Sequence, residues 1–251
     1  MKLRVVLLFT ALLGLSVAPA LALDVAGSAS LGVFDKYLWR GIDLSDSTEV
    51  VQGAAEVSTS GFTLTVWGNA QLEDDGAYDG GEINEVDVTL DYSVDVADLL
   101  SLSAGNITYI LKDIPDTNEA YLGATLNTLL APTFTVYWDW DQAKENGLFY
   151  TAAISHTFEP CAHAAVNLGA LVSYNDKNDY NVYYYDAATA AEKSYSDWHN
   201  FELSAATEIK AGEQLTITPS LLYSTPISNE AKRAIDSEWL AGVTLTYSAS
   251  F

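Results

Sequence analysis

The chain has 251 residues, of which 49% are hydrophobic and 12% aromatic, and its 34 acidic and 11 basic side chains give a formal charge of −23. This hydrophobic content excludes intrinsic disorder, and the negative charge argues against partners such as nucleic acid or an anionic membrane surface. The single cysteine, Cys161, cannot form an internal disulfide, and with only His163 nearby it falls short of a zinc site.

Residues 1–22 have the three parts of a secretory signal peptide. Lys2 and Arg4 precede an apolar run, which ends in an Ala-Leu-Ala cleavage site. We predict cleavage after this segment, with cleavage after Ala20 as the alternative. An uncleaved membrane anchor is disfavoured because the apolar run is short for a span and a small-residue site follows it.

The predicted mature chain, 23–251, loses two basic residues and no acidic ones, so its charge becomes −25. None of its apolar stretches approaches the roughly 18 residues that a transmembrane helix needs. If it spans a membrane, it must therefore do so as a closed barrel, since only helices and closed barrels satisfy every backbone group in lipid.

A short segment near the start of the predicted mature chain matches a known sequence motif. Residues 34–41 read Phe-Asp-Lys-Tyr-Leu-Trp-Arg-Gly, and Ser45 follows. This segment resembles the Tyr-x-Phe/Trp-Arg-Gly-x-x-x-Ser-like opening of the TorF family, whose members are described as outer-membrane porins. Residues 51–53 and 62–67 extend the resemblance, which covers about the first fifth of the chain. It implies an outer-membrane location and a barrel fold, and it carries over no catalytic residue.

Polar, glycine-rich or charged segments divide the mature chain into about twelve strand-like runs. Most have 9–14 residues, which exceeds the usual soluble strand and suits a tilted strand crossing a bilayer. The predicted runs are 28–40, 48–58, 62–71, 82–92, 99–110, 118–127, 133–141, 148–158, 164–174, 197–209, 214–223 and 238–251.

The final run shows the alternation of a strand with two different faces. One face carries Trp239, Ala241, Val243, Leu245, Tyr247, Ala249 and Phe251. The other face is almost wholly small and polar, as expected if the outside meets lipid and the inside meets water. Runs 62–71, 82–92, 133–141 and 197–209 repeat this pattern. Run 99–110 does not alternate cleanly, which would be consistent with a bulge.

Aromatic residues cluster near the strand ends that adjoin the longer connections. They are Tyr37, Trp39, Trp138, Trp140, Tyr174 and Trp239. Amphipathic rings favour membrane interfaces, so we expect these residues to form a girdle.

Long polar connections alternate with short ones along the whole chain. An up-and-down barrel predicts this alternation, whereas a Greek-key sandwich gives no reason for it. We therefore predict an all-β fold, a transmembrane up-and-down antiparallel β-barrel of about twelve strands, in the outer membrane of a Gram-negative bacterium. A secreted soluble β-protein is the alternative.

Charged residues on the predicted inward faces are mostly acidic. We predict that Lys36, Arg40, Glu85, Asp87, Asp139, Asp141 and Glu202 line the lumen. Acidic walls attract cations and repel anions, so a conducting lumen should prefer cations. Alternatively, these acids balance Lys36 and Arg40 inside a filled barrel, because twelve strands lie between the filled eight-stranded barrels and the open porins.

Two of the polar connections have compositions that are compatible with a functional role. Segment 175–196 is rich in tyrosine and acids, and it could constrict the lumen, bind a ligand or simply be a solvated external loop. Segment 73–82 contains enough acids for a calcium site but lacks the ordered ligand spacing of one, so a solvated acidic loop is favoured.

No enzymatic arrangement is evident. His156 and His199 have outward parity at opposite strand ends, His163 lies in a predicted short turn, and no Gly-x-Ser-x-Gly motif is present. We therefore expect no catalysis, cofactor or metal, and a porin that passes small polar solutes or cations and contacts outer-membrane lipid. The alternative is a non-conducting surface barrel that binds a ligand or partner through its external loops. The sequence does not determine the oligomeric state.

Overall fold

The computed structural model describes residues 24–74 and 78–251, so the predicted signal peptide lies outside the described residues. Twelve antiparallel strands close into one barrel, as predicted. They are β1 Val25–Phe34, β2 Val50–Thr59, β3 Phe62–Gln71, β4 Ile83–Ala97, β5 Leu100–Leu111, β6 Thr117–Leu126, β7 Thr133–Asp139, β8 Leu148–Cys161, β9 Ala164–Asp176, β10 Ser196–Lys210, β11 Leu215–Pro226 and β12 Glu238–Ser250. Among the described residues, no helix is long and apolar enough to cross a membrane.

The barrel closes where β1 pairs with β12. Their register runs from Ala26 opposite Ser250 to Phe34 opposite Gly242. Each strand thus has a hydrogen-bonded neighbour on both sides, which leaves no open sheet edge.

The predicted two-face pattern is confirmed in β12. Trp239, Val243 and Tyr247 are 56%, 47% and 50% exposed on the outer surface. Thr244 and Thr246 point inward and are half-buried. Since side chains alternate along each strand and the register fixes their neighbours, the same assignment extends around the barrel.

The predicted alternation of connection lengths is present with one exception. The connections 60–61, 98–99, 127–132, 162–163 and 211–214 lie at one end of the barrel, the short-turn end, and 35–49, 72–82, 112–116, 140–147, 177–195 and 227–237 lie at the other, the long-loop end. The exception is 112–116, which is one residue shorter than 127–132.

Strand β5, which corresponds to the predicted run 99–110, departs from the alternation of polar and apolar residues, but its pairing with β6 contains no bulge. Its pairing with β6 is continuous from Leu100 to Tyr109. The irregularity arises because Asn106 and Thr108 face outward, where Asn106 accepts a 2.9 Å hydrogen bond from the indole of Trp140. Thr108 donates to Asn118 on β6 at 2.7 Å. These bonds satisfy polar groups on an otherwise apolar face.

Gly105 on β5 allows Tyr121 on β6 to lie flat against the inner wall. A Cβ at this position would come within 2.5 Å of the Tyr121 ring and hydroxyl and 2.7 Å of the Leu90 backbone carbonyl. Because backbone cannot move aside as a flexible side chain can, we expect Gly105→Ala to lower the free energy of unfolding by about 1–3 kcal/mol. Denaturant unfolding of the folded barrel measures this change.

Gly212→Ala is the matched control for Gly105→Ala. No heavy atom lies within 4 Å of a Cβ built at Gly212. Equal losses of stability in the two variants would contradict the steric explanation.

Candidate functional site

Two long loops fold into the barrel at the long-loop end. We call residues 35–49 and 177–195 together the plug. The first of these loops contains a small hairpin that pairs 38–39 with 42–43. Its turn needs left-handed backbone at Arg40, with φ 51°, and at Gly41, with φ 79°. A Cβ at Gly41 would also lie 2.9 Å from Ile235 and from Ser224, so glycine is required for this close approach.

Arg40, at the tip of this hairpin, forms a buried bidentate ion pair with Glu119 on β6. The two guanidinium nitrogens lie 2.9 and 2.8 Å from the two carboxylate oxygens. The Glu119 side chain is 0% exposed. Burial alone would lower the pKa of Arg40, but the negative charge of Glu119 outweighs it and the pKa is raised. The guanidinium therefore stays charged, and its hydrogen bonds to Glu119 tie the plug to the barrel wall.

The carboxylate of Glu119 is fully hydrogen-bonded. The Tyr109 hydroxyl and the Asn178 amide each donate to it at 2.9 Å, and the Asn181 amide lies at 3.3 Å. Asn178 and Asn181 belong to the second plug loop. Both plug loops thus meet on one buried carboxylate, which satisfies a group that would otherwise be costly to bury.

Aromatic rings surround the Arg40 guanidinium. Its central carbon lies 4.3 Å from the Trp39 ring centroid, 5.0 Å from Tyr137 and 4.2 Å from Phe149. Cation–π attraction in this desolvated position adds to the ion pair. Tyr37 and Trp39, expected in an outer girdle, thus belong to a loop that turns into the lumen.

His199 is buried beside Arg40, contrary to its expected outward parity. The pairing of β9 with β10 shifts register between Val172 and Tyr174, so the alternation changes phase before His199. The His199 Nε2 lies 2.7 Å from the Arg40 carbonyl oxygen, and the Tyr195 hydroxyl lies 2.5 Å from Nδ1. A carbonyl only accepts, so Nε2 carries the proton and Nδ1 accepts from Tyr195.

The second plug loop contributes an apolar core. Val182, Tyr184 and Tyr195 form one buried cluster with Phe149 and Ala231. This core lies inside the barrel and at its long-loop end, whereas most large apolar side chains of the strands face outward. The plug is therefore an ordered part of the fold.

Lys36 lies on the first plug loop and not on a strand, since β1 ends at Phe34. Its ammonium lies 2.6 Å from Glu238 and 3.4 Å from Asp43. Burial alone would raise the pKa of Asp43, but hydrogen bonds from Ser45 and Ser47 and the interaction with Lys36 together outweigh it and lower the pKa.

The acids of the predicted lumen set have different surroundings. Glu85 and Asp87 face inward on β4, without an ion pair to a described basic residue. Asp139 is buried and accepts from Thr117 at 2.8 Å. Glu202 accepts from Asn200 at 2.8 Å.

Asp141 lies beyond the end of β7, which stops at Asp139. It accepts a 2.9 Å hydrogen bond from Asn118, which lies on the outward face of β6, as Leu122 does. The alternation that brings Asp139 inward therefore does not extend to Asp141.

In the short-turn half of the lumen, the wall is lined by small side chains and by three further acidic residues. Glu56, Asp91 and Glu208 face inward there. Their hydrogen-bond donors are neutral: Thr65 for Glu56, Tyr121 for Asp91 and Asn167 for Glu208. Neutral donors satisfy the oxygen atoms but leave the negative charges uncompensated.

A cavity of about 600 Å³ lies between the plug and the wall at the long-loop end. We call it the mouth cavity. Its lining includes Tyr37, Trp39, Glu85, Tyr109, Tyr180 and Tyr183. Burial, followed by the charge of Glu85, raises the pKa of Tyr37, so its hydroxyl stays protonated.

Within residues 24–74 and 78–251, no three His, Cys, Asp or Glu side chains come together as a metal site. The acidic segment 73–82 falls partly outside the described residues, because 75–77 are not described. In the described part, Asp74 accepts a 2.6 Å hydrogen bond from the Gly80 backbone.

Residues 22–247 match the profile of a family described as "Bacterial protein of unknown function (Gcw_chp)". The chain belongs to the Gcw_chp family. A search of the curated proteins gives no match to it.

Solved structures of similar fold are outer-membrane proteins. The NanC porin has a TM-score of 0.55 and 12% identity over 90% of this chain and 99% of its own. The KdgM porin has a TM-score of 0.54 and 12% identity over 88% and 98%. The COG4313 outer membrane channel from Pseudomonas putida F1 has a TM-score of 0.50 and 10% identity over 94% and 98%. At these identities the likeness shows that this Gcw_chp chain has their barrel fold.

Proposed function

We propose that this protein is an outer-membrane porin, a passive diffusion channel for small polar solutes with a preference for cations. The observation that carries the proposal is the charge of the lumen. Lys36 and Arg40 are both ion-paired, whereas Glu56, Asp91 and Glu208 meet only neutral hydrogen-bond donors. An excess of fixed negative charge in a narrow, low-dielectric passage concentrates cations.

In this proposal the long loops face the outside of the cell and the short turns face the periplasm, as in other outer-membrane barrels. The apolar outer face contacts outer-membrane lipid. The fold likeness to NanC and KdgM supports a porin, and residues 34–45 support membership of the TorF group. The predicted signal peptide, residues 1–22, would export the chain.

Solutes would pass beside the plug. The mouth cavity separates the plug from the wall formed by β4 and β5, and Glu85 lies at its boundary. From there the path continues into the short-turn half, where small side chains such as Thr244 and Thr246 line the wall. The plug then sets the size limit, and the wall charges set the ion preference.

We propose no catalytic role. His156 faces outward and lies 2.8 Å from the Leu129 carbonyl, and His199 is fully occupied by Arg40 and Tyr195. Neither histidine is hydrogen-bonded to a serine or a thiol nucleophile, as an activated hydrolase site would require.

Single-channel recording of the folded chain in a planar bilayer, under a KCl gradient, tests the proposal. We expect discrete current steps with a cation-selective reversal potential. Glu56→Gln combined with Glu208→Gln should move the reversal potential toward zero, because it removes two uncompensated charges. Glu213→Gln, in an exposed turn, removes a charge outside the barrel wall and should change little.

Anion selectivity in the same recording would contradict the role of the acidic wall. A folded barrel without current would favour the alternative, a surface barrel that acts through its loops. The buried Arg40–Glu119 ion pair and the apolar core of the plug favour that alternative, since they fill part of the lumen.

A further inference from the structure

The mouth cavity has aromatic walls on two sides. Tyr37 and Trp39 contribute rings from the first plug loop, Tyr109 contributes one from β5, and Tyr180 and Tyr183 contribute rings from the second plug loop. The Tyr180 hydroxyl donates to the Pro115 carbonyl, which holds the loop across the opening. A volume of about 600 Å³ lies within the range of small-molecule sites.

The floor of the mouth cavity carries carboxylates without a cationic partner. Glu85 lines the cavity and is only 9% exposed. Asp87 lies behind it on the same face of β4, and its buried Oδ1 has no hydrogen-bond partner among the described residues. No described lysine or arginine lies within ion-pair distance of either carboxylate.

With its other charged residues included, the lining of the mouth cavity still has a net negative charge. Asp179 and Glu192 also line it, against one basic residue, Lys144. Asp179 accepts hydrogen bonds from the backbone at Lys144 and Glu145, so it supports the rim. The charge complement of this cavity is therefore a cation.

We propose that the mouth cavity binds an organic ammonium ion, with its alkyl groups against the tyrosine and tryptophan faces and its charge toward Glu85. Aromatic faces attract alkylated ammonium ions, and a carboxylate adds a direct charge interaction. A bare metal ion fits less well, since hard cations require several oxygen ligands and the described residues group no three candidate ligands.

Isothermal titration calorimetry on the full folded chain in detergent tests this site, with choline as the probe. The matched ligand control is 3,3-dimethylbutan-1-ol, which has the shape of choline without its charge. We expect choline to bind and the neutral alcohol to bind at least about tenfold more weakly. Equal affinities, or no heat from choline, would overturn the proposal.

Two variants locate the bound ion. Glu85→Gln should weaken choline binding by about tenfold, and Tyr183→Leu, at a half-exposed loop position, should weaken it about twofold to fivefold without affecting the barrel. Glu213→Gln removes one charge at the opposite end and should leave the affinity unchanged. Unchanged affinity in both Glu85→Gln and Tyr183→Leu would also overturn the assignment.

This inference is independent of conduction. A chain that binds choline but carries no current would keep the site and contradict the porin. A chain that conducts but does not bind choline would keep the porin and contradict the site.

Discussion

Replacing Arg40 with methionine is expected to lower the free energy of unfolding by about 3–5 kcal/mol and to raise the single-channel conductance. Methionine fills a similar volume but leaves Glu119 as a buried charge without its cation. The carboxylate is 0% exposed, so water cannot replace the guanidinium unless the plug moves. We expect the first plug loop to leave the lumen, which widens the passage.

Denaturant unfolding in lipid vesicles and planar-bilayer recording measure the two effects of Arg40→Met. Lys177→Met is the matched control, because Lys177 forms its ion pair with Glu145 through side chains that are 42% and 46% exposed. Exposed pairs contribute little to stability. The double variant Arg40→Met with Glu119→Gln should recover most of the lost stability, since it removes the buried charge as well. A single variant with unchanged stability and current would contradict the role of the pair.

Removing most of the second plug loop is expected to increase the current and the size of the solutes that pass. Replacing residues 178–194 with a two-residue Gly-Ser turn deletes the buried Val182 and Tyr184 and both asparagines that donate to Glu119. The barrel itself should still close, because the Lys177 amide already donates to the Tyr195 carbonyl at 2.9 Å. The remaining ends are thus at hairpin distance.

Liposome swelling with sugars of increasing size, together with single-channel recording, measures the effect of this deletion. Shortening the connection 127–132, at the opposite end of the barrel, is the control, since that connection makes no hydrogen bond to Glu119. If the deletion of 178–194 leaves current and size limit unchanged but abolishes binding of choline or another ligand, the loop serves recognition and does not restrict the passage.

The strands and their faces could be predicted because their signals are local. Side chains alternate with a period of two, so Trp239, Val243 and Thr244 reveal their faces without knowledge of any neighbour. Connection lengths are equally visible in the sequence. These two signals determine an up-and-down barrel and its strand count.

Segment 175–196 could be identified from the sequence as a candidate constriction, but the contacts that hold the plug could not be predicted, because they join distant parts of the chain. Arg40 and Glu119 are 79 residues apart. Glu119 has the inward parity, but nothing local identifies it as the partner of Arg40. Faces assigned from the alternation of side chains were wrong where the regular strand geometry ends. This applies to Asp141, which lies beyond the end of β7, and to His199, which lies beyond the register shift between β9 and β10. The asparagines Asn178 and Asn181 carry no signal apart from their polarity.

The seam between β1 and β12 has a consequence for the order of folding. These strands come from opposite ends of the described chain, and the Lys36–Glu238 ion pair that spans their long-loop ends joins residues 202 positions apart. Contacts of such long separation form late, because the entropy of closing a large loop must be overcome first. Until then the nascent sheet has two unpaired edges, which makes it prone to associate with other chains. The Lys36–Glu238 pair therefore belongs to the contacts that form when the seam closes.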